Sequence, residues 1–139
     1  METNKVDMFI LKKSDLFPSN QTMLIRERLE NMSDEKWIQL SMVQFKNPTT
    51  AIMISAGAGT FGADRFYINQ PILGCCKLGL FLVFFISLIC FEFNQDSALY
   101  AILFLLTMIA LLLWYFIDIF LISKEARQYN FNKLLTFLI

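Results

Sequence analysis

Residues 98–122 read ALYAILFLLTMIALLLWYFIDIFLI, an apolar run whose one formal charge is Asp118. At 1.5 Å per residue it makes about 37 Å of helix, enough to cross a hydrocarbon core of about 30 Å. This run decides the fold class: an all-α, helical integral membrane protein. The composition agrees. Hydrophobic residues make up 56% of the 139 and fifteen are Phe, where an ordinary soluble domain holds roughly 45–50% apolar residues.

Upstream, residues 71–91 form a second run opened by Pro71, about 31 Å long as a helix. Lys77 lies one to two turns inside it and is expected to snorkel toward the near surface. Pro48 breaks the chain ahead of a first segment. Residues 49–63 would span only about 22 Å, and extension to Ile68 brings Asp64 and Arg65 near its end. Ser55, Gly59 and Ala63 fall at i, i+4 and i+8, with Gly57 and Gly62 widening that face. Small residues at this spacing let helix backbones approach closely in lipid, so the three are predicted to pack helices. Three apolar segments therefore result, at 49–68, 71–91 and 98–122, within a membrane domain over 48–123.

The charges are sharply partitioned. Twelve Lys+Arg balance twelve Asp+Glu, yet residues 47–123 hold only Asp64, Arg65, Lys77, Glu92, Asp96 and Asp118. Residues 1–47 read as a polar helical region. Ser19 can cap a helix over 21–31 whose Leu24, Ile25, Leu29 and Met32 recur at helical spacing. Ser33 can cap a second, with Asp34 and Glu35 in its first turn and Trp37, Leu40, Met42 and Val43 on its apolar stripe. About 46 residues hardly support a core of their own, so this hairpin is expected to pack on the membrane domain, the tail or a second copy. The tail, 124–139, sets Lys124, Arg127 and Lys133 beside an amphipathic stripe of Phe131, Leu134, Leu135 and Leu138. It is expected to form a short helix that lies on the membrane or docks on the hairpin.

Several functions are disfavoured. A neutral chain lacks the positive excess on which phosphate-backbone affinity rests, so no nucleic-acid partner is expected. With no His there is no His general base, triad or His metal site. Cys75 and Cys76 are adjacent and Cys90 stands apart, which suits small packing residues better than a disulfide framework. No cofactor, metal or catalytic residue is expected, and the chain reads as not an enzyme.

Asp64, Arg65 and Asp118 carry charge where charge is costly, about 2.5–3.5 kcal/mol at mid-bilayer on the lenient insertion scale. The second segment leaves the Asp64–Arg65 side and the third returns to it, so Arg65 and Asp118 should lie at similar depth. A bidentate pair there would clasp the loop to the last helix. An ion or proton relay is the sharper alternative.

The stretch Gly62-Ala63-Asp64-Arg65-Phe66-Tyr67 after a Gly-rich helix, with Trp114-Tyr115-Phe116-Ile117-Asp118 before a final apolar run, resembles the TM2 domain family. That family is described as two membrane helices joined by a short loop bearing Asp-Arg-Phe. Lys46-Asn47-Pro48-Thr49 is similar to the lead-in of bacterial members. The tail Asn130-Phe131-Asn132-Lys133-Leu134 resembles that of a bacterial subgroup with a helical N-terminal extension. The resemblance implies Asp64, Arg65, Phe66, Tyr67 and Asp118 as motif residues and a bacterial inner membrane as the location. Two departures stand out. Asn69 occupies a position that is often Gly, and the stretch from the loop to Trp114 is much longer than the family norm.

Orientation rules collide. Residues 1–13 hold acids and only a brief apolar run at 8–11, unlike a signal peptide. The basic tail favours the cytoplasm and the acidic link 92–97 the outside. Cytoplasmic placement of both terminal regions is expected, yet three crossings would separate them. Either the short first segment does not cross, or the N-terminal region is exported. The expected function is a small non-enzymatic membrane protein that acts as an interaction or assembly module through helix packing. Its partners would be the lipid bilayer and a second copy or a larger membrane protein. A small oligomeric transporter or channel using Arg65 and Asp118 is the alternative.

Overall fold

The computed structural model describes residues 3–94 and 97–138. All regular elements among them are helical. They are α1 (Thr3–Lys13), α2 (Thr22–Glu30), α3 (Asp34–Met42), α4 (Pro48–Ala58), α5 (Ala63–Tyr67), α6 (Pro71–Phe93) and α7 (Ala98–Leu138), with single 3₁₀ turns at Ser14–Leu16, Ser19–Gln21 and Gly59–Phe61. The chain divides into two compact units, Met1–Thr50 with Ser123–Ile139, and Ala51–Ile122.

Two helices, rather than three, are long and apolar enough to cross a membrane. α6 has 23 residues and a mean hydropathy of 2.5, and α7 has 41 residues and 2.4. Only 17% and 11% of their apolar windows are buried, where the core helix of a soluble protein would be mostly covered. Lipid is the solvent that suits such surfaces. At about 61 Å, α7 is twice as long as a hydrocarbon core is thick. Its last turns therefore extend past the apolar run, and the tail continues it to Leu138 instead of forming a separate helix.

The first segment is not one helix. Backbone geometry departs from α-helical at Ala58, φ −133°, and at Gly62, φ +78°. α4 ends after 11 residues, about 16 Å, too short to span. Ser55, Gly59 and Ala63 thus lie on α4, a 3₁₀ turn and α5, not on one continuous face. Apolar composition alone does not specify helix continuity, and the glycines that read as a packing stripe act here as breakers.

In the second unit α6 and α7 run antiparallel. Lys77 meets Asp118, the Ser87 hydroxyl lies 3.2 Å from that of Thr107, and Phe91 stacks on Phe104 at 5.7 Å. As residue numbers rise along α6, their partners' numbers fall along α7. The acidic link joining the two helices includes Asp96, which lies outside the described residues.

The first unit has its own core. Val6, Phe17, Ile25, Leu29 and Leu40 are buried with Phe131 and Leu134 of the tail, and Trp37, Met32, Leu135 and Leu138 pack against them. The tail stripe therefore docks on the N-terminal helices. α1 was not legible as a helix from its brief apolar run, although Val6, Phe9 and Ile10 stand at i, i+3 and i+4. Phe9 meets Trp37 edge-on at 5.8 Å and Phe17 at 6.3 Å. Asn130, fully buried, fastens the unit. Its amide accepts from Lys46 N–H at 2.8 Å and donates to the carbonyls of Lys46 at 2.7 Å and Leu16 at 2.9 Å. A buried side-chain amide so satisfied specifies which segments meet.

Candidate functional site

The second unit's polar residues converge on one place. Gly62 takes the left-handed conformation that Gly adopts without a Cβ penalty. Its carbonyl then accepts from Arg65 N–H at 3.0 Å and Phe66 N–H at 3.1 Å, which starts α5. Asn69, φ +60°, ends the turn. Asn is the residue besides Gly that enters this region most readily, so the departure at this position keeps a positive-φ turn.

α5 carries Asp64 and Arg65 inward, both buried. Asp64 Oδ1 accepts the Arg65 backbone N–H at 2.9 Å, and Asp64 Oδ2 accepts the Ser55 hydroxyl at 3.1 Å. Arg65 grips Asp118 with two donors: Nε lies 3.2 Å from Oδ2, and Nη2 is in direct contact with Oδ1. Arg65 Nη1 donates to Gln70 Oε1 at 2.7 Å. A fork of this kind is the geometry that Arg offers a carboxylate and Lys does not.

Lys77 completes the site. It does not snorkel to the surface. Its side chain is 1% exposed, and Nζ lies 2.9 and 3.2 Å from the two Asp64 oxygens and 2.5 Å from Asp118 Oδ2. Outward reach would leave Asp64 and Asp118 with one cation between them. The sequence held a signal for this that local reading missed: Asp64, Arg65 and Asp118 sum to one negative charge, and Lys77 cancels it.

The four charges form a closed, neutral tetrad that ties α5, α6 and α7 together. Ser55 braces it from α4 and Gln70 from the turn before α6. Of the residues read as a packing stripe, Ser55 is fully buried and spends its hydroxyl on Asp64. Gly59 is buried, and a Cβ there would sit 3.2 Å from Ser55 Oγ. Ala63 is half-buried. This stripe is used within the chain. Tyr67 is half-buried at the end of α5. Phe66 is 43% exposed and leans over Gly74, whose missing Cβ makes room for its ring.

The cysteines are free. Cys75 and Cys76 are exposed on α6 and Cys90 is half-buried, so the first two do not pack inside the chain. Among the described residues no three His, Cys, Asp or Glu side chains gather as a metal site would require. Chemically, the tetrad can hold helices together, and it forms an unbroken polar chain from Ser55 to Gln70.

Among curated proteins and among solved structures nothing matches the chain. One family model does, and it stops before Trp114 and Asp118 while including Asp64, Arg65 and Lys77. Residues 44–91 match the TM2 domain.

Proposed function

We propose that this protein is a non-enzymatic membrane assembly module. Its membrane unit would be an anchor clasped by the charge tetrad, and its first unit a cytoplasmic handle. The observation that carries this reading is the neutrality of the tetrad. Each charge meets an opposite one within 3.2 Å, as a structural clasp requires and as a group that exchanges ions with water does not. Asn130 supports shared sidedness. A folded unit built from both terminal regions occupies one aqueous side, which takes an even number of crossings, and α6 with α7 supplies two. The tail's three basic residues against one acid favour the cytoplasmic side of a bacterial inner membrane.

With Ser55 and Gly59 spent internally, the assembly surface belongs on α6. There Cys75, Gly79 and Val83 stand at i, i+4 and i+8, and a Cβ on Gly79 would meet open space. A second copy is the partner that this exposed face suits, with Gly79 at its centre letting backbones approach. Oxidative crosslinking in membranes should give a disulfide-linked dimer through Cys75. The dimer should vanish in Cys75→Ser and fall severalfold in Gly79→Leu. A monomer under crosslinking, with no co-purifying protein, would sink the proposal.

The unbroken polar chain is what favours a transporter as the second reading. With its charges closed on one another, we expect no ion flux above empty-liposome background from the reconstituted protein. A flux abolished by Asp118→Asn in folded protein would put transport in place of assembly.

A further inference from the structure

We infer that the first unit holds the phosphate headgroup of an anionic phospholipid in a pocket between the start of the tail and the Pro18–Asn20 turn. This goes beyond the assembly reading and does not depend on it. A cavity of about 290 Å³ is lined by Pro18, Ser19, Asn20, Lys124, Arg127 and Gln128. Two of these side chains are cationic, none is acidic, and three carry hydroxyl or amide groups. Arg127 Nε is buried and makes no hydrogen bond among the described residues. An orphaned guanidinium donor on a residue that lines a basic cavity is a group without its anion.

Depth identifies the anion's source. The apolar run of α7 ends at Ile122, so Lys124 and Arg127 lie about 3 and 7.5 Å beyond it along the helix, at headgroup level. Three residues apart, they share one helix face. A basic pair directly after a membrane helix attracts anionic lipid. Arg127 can fork two phosphate oxygens while Lys124 adds a point charge, and Ser19 and Asn20 can supply neutral hydrogen bonds. Pockets elsewhere in this unit mix signs: one brings Glu27 together with Arg28 and Lys36, another Lys5 with Asp34.

The test uses the full chain in a neutral maltoside micelle, titrated with phosphatidylglycerol, phosphatidylcholine or inorganic phosphate while thermal unfolding is followed. Wild type should prefer phosphatidylglycerol over phosphatidylcholine by roughly thirtyfold, the worth of two basic residues at an anionic surface. Lys124→Gln/Arg127→Gln should bring that preference to about twofold or less. Lys12→Gln/Arg28→Gln, which removes the same charge from exposed positions, should keep it. Lipid-free midpoints show whether each variant folds. An unchanged preference in the pocket variant, or equal loss in both variants, overturns the site. If inorganic phosphate reproduces the full effect and competes with the lipid, the lipid assignment is overturned.

Discussion

Lys77→Met should cost about 3–5 kcal/mol of stability in the membrane unit, the usual consequence of removing one partner from a buried ion pair. Met matches the length of the Lys stem and fills its apolar space, so the loss isolates the ammonium. Without it, Asp64 loses two contacts and Asp118 one, and the cluster is left with one uncompensated negative charge where water cannot reach. A carboxylate so placed is expensive. Thermal or denaturant unfolding in micelles reads the effect. Lys77→Met with Asp64→Asn restores neutrality and leaves the Arg65–Asp118 fork in place, so it should recover more than half of the loss. The Asn oxygen can still accept from the Arg65 backbone N–H, and its amide nitrogen can donate to the Ser55 hydroxyl, which rotates to accept. A loss under about 1 kcal/mol for Lys77→Met, or no recovery in the double variant, would mean that the four charges do not act as one unit.

How far this site can be read from sequence depends on the scale at which charge is counted. Connectivity alone brings Arg65 and Asp118 to similar depth, because α6 leaves the loop side and α7 returns to it. Lys77 is misplaced by the same sequence when treated alone. A lysine near a helix end in lipid ordinarily snorkels, and its four-carbon stem permits that. What decides its direction is the pair of carboxylates already committed to the interior. Summing the charge of Asp64, Arg65 and Asp118 before assigning a direction to Lys77 would have turned it inward.

The membrane spans were legible for another reason. Apolar runs as long as 71–91 and 98–122 have few alternatives to spanning lipid, since every backbone group must be bonded internally there. The first segment has a similar composition but a different outcome. Its Ser55, Gly59 and Ala63 spacing describes a face only if one helix carries all three, and Ala58 and Gly62 end that helix. In the polar region, Leu29 and Leu40 stood out at helical spacing and are buried, whereas Met42 is 76% exposed. Nothing in the local pattern ranks these apolar side chains, because burial was decided by the docking of Phe131 and Leu134 from 90 residues or more away. Separation of 84 and 114 residues from its partners hides Asn130 in the same way. It reads as one polar residue in a helical tail, and only its partners Leu16 and Lys46 explain it.

Gly62→Ala should be the most damaging of the glycine substitutions, at about 2–5 kcal/mol. Its backbone, φ +78°, costs an L-residue about 1–2 kcal/mol. The new Cβ would also stand 2.5 Å from the Gly74 carbonyl oxygen and 3.0 Å from its Cα. These are main-chain atoms of α6, which cannot swing aside, and overpacking of that kind costs a further 1–3 kcal/mol or more. Gly74→Ala meets the Phe66 ring at 2.9 Å. That ring is partly exposed and can rotate away, so a cost of about 1 kcal/mol is expected. Gly79→Ala meets nothing and should be neutral or mildly stabilising through helix propensity. The ordering, read by unfolding midpoints in one detergent, tests the close approach itself. Equal effects at Gly62 and Gly74 would show that α5 does not lie where the structure puts it. The functional consequence follows from the same geometry. α5 separated from α6 carries Asp64 and Arg65 away from Lys77 and Asp118, so Gly62→Ala should leave Lys77→Met with little further stability to remove. The two losses combined should then fall well short of additive, which ties the loop's one obligatory glycine to the charges it positions.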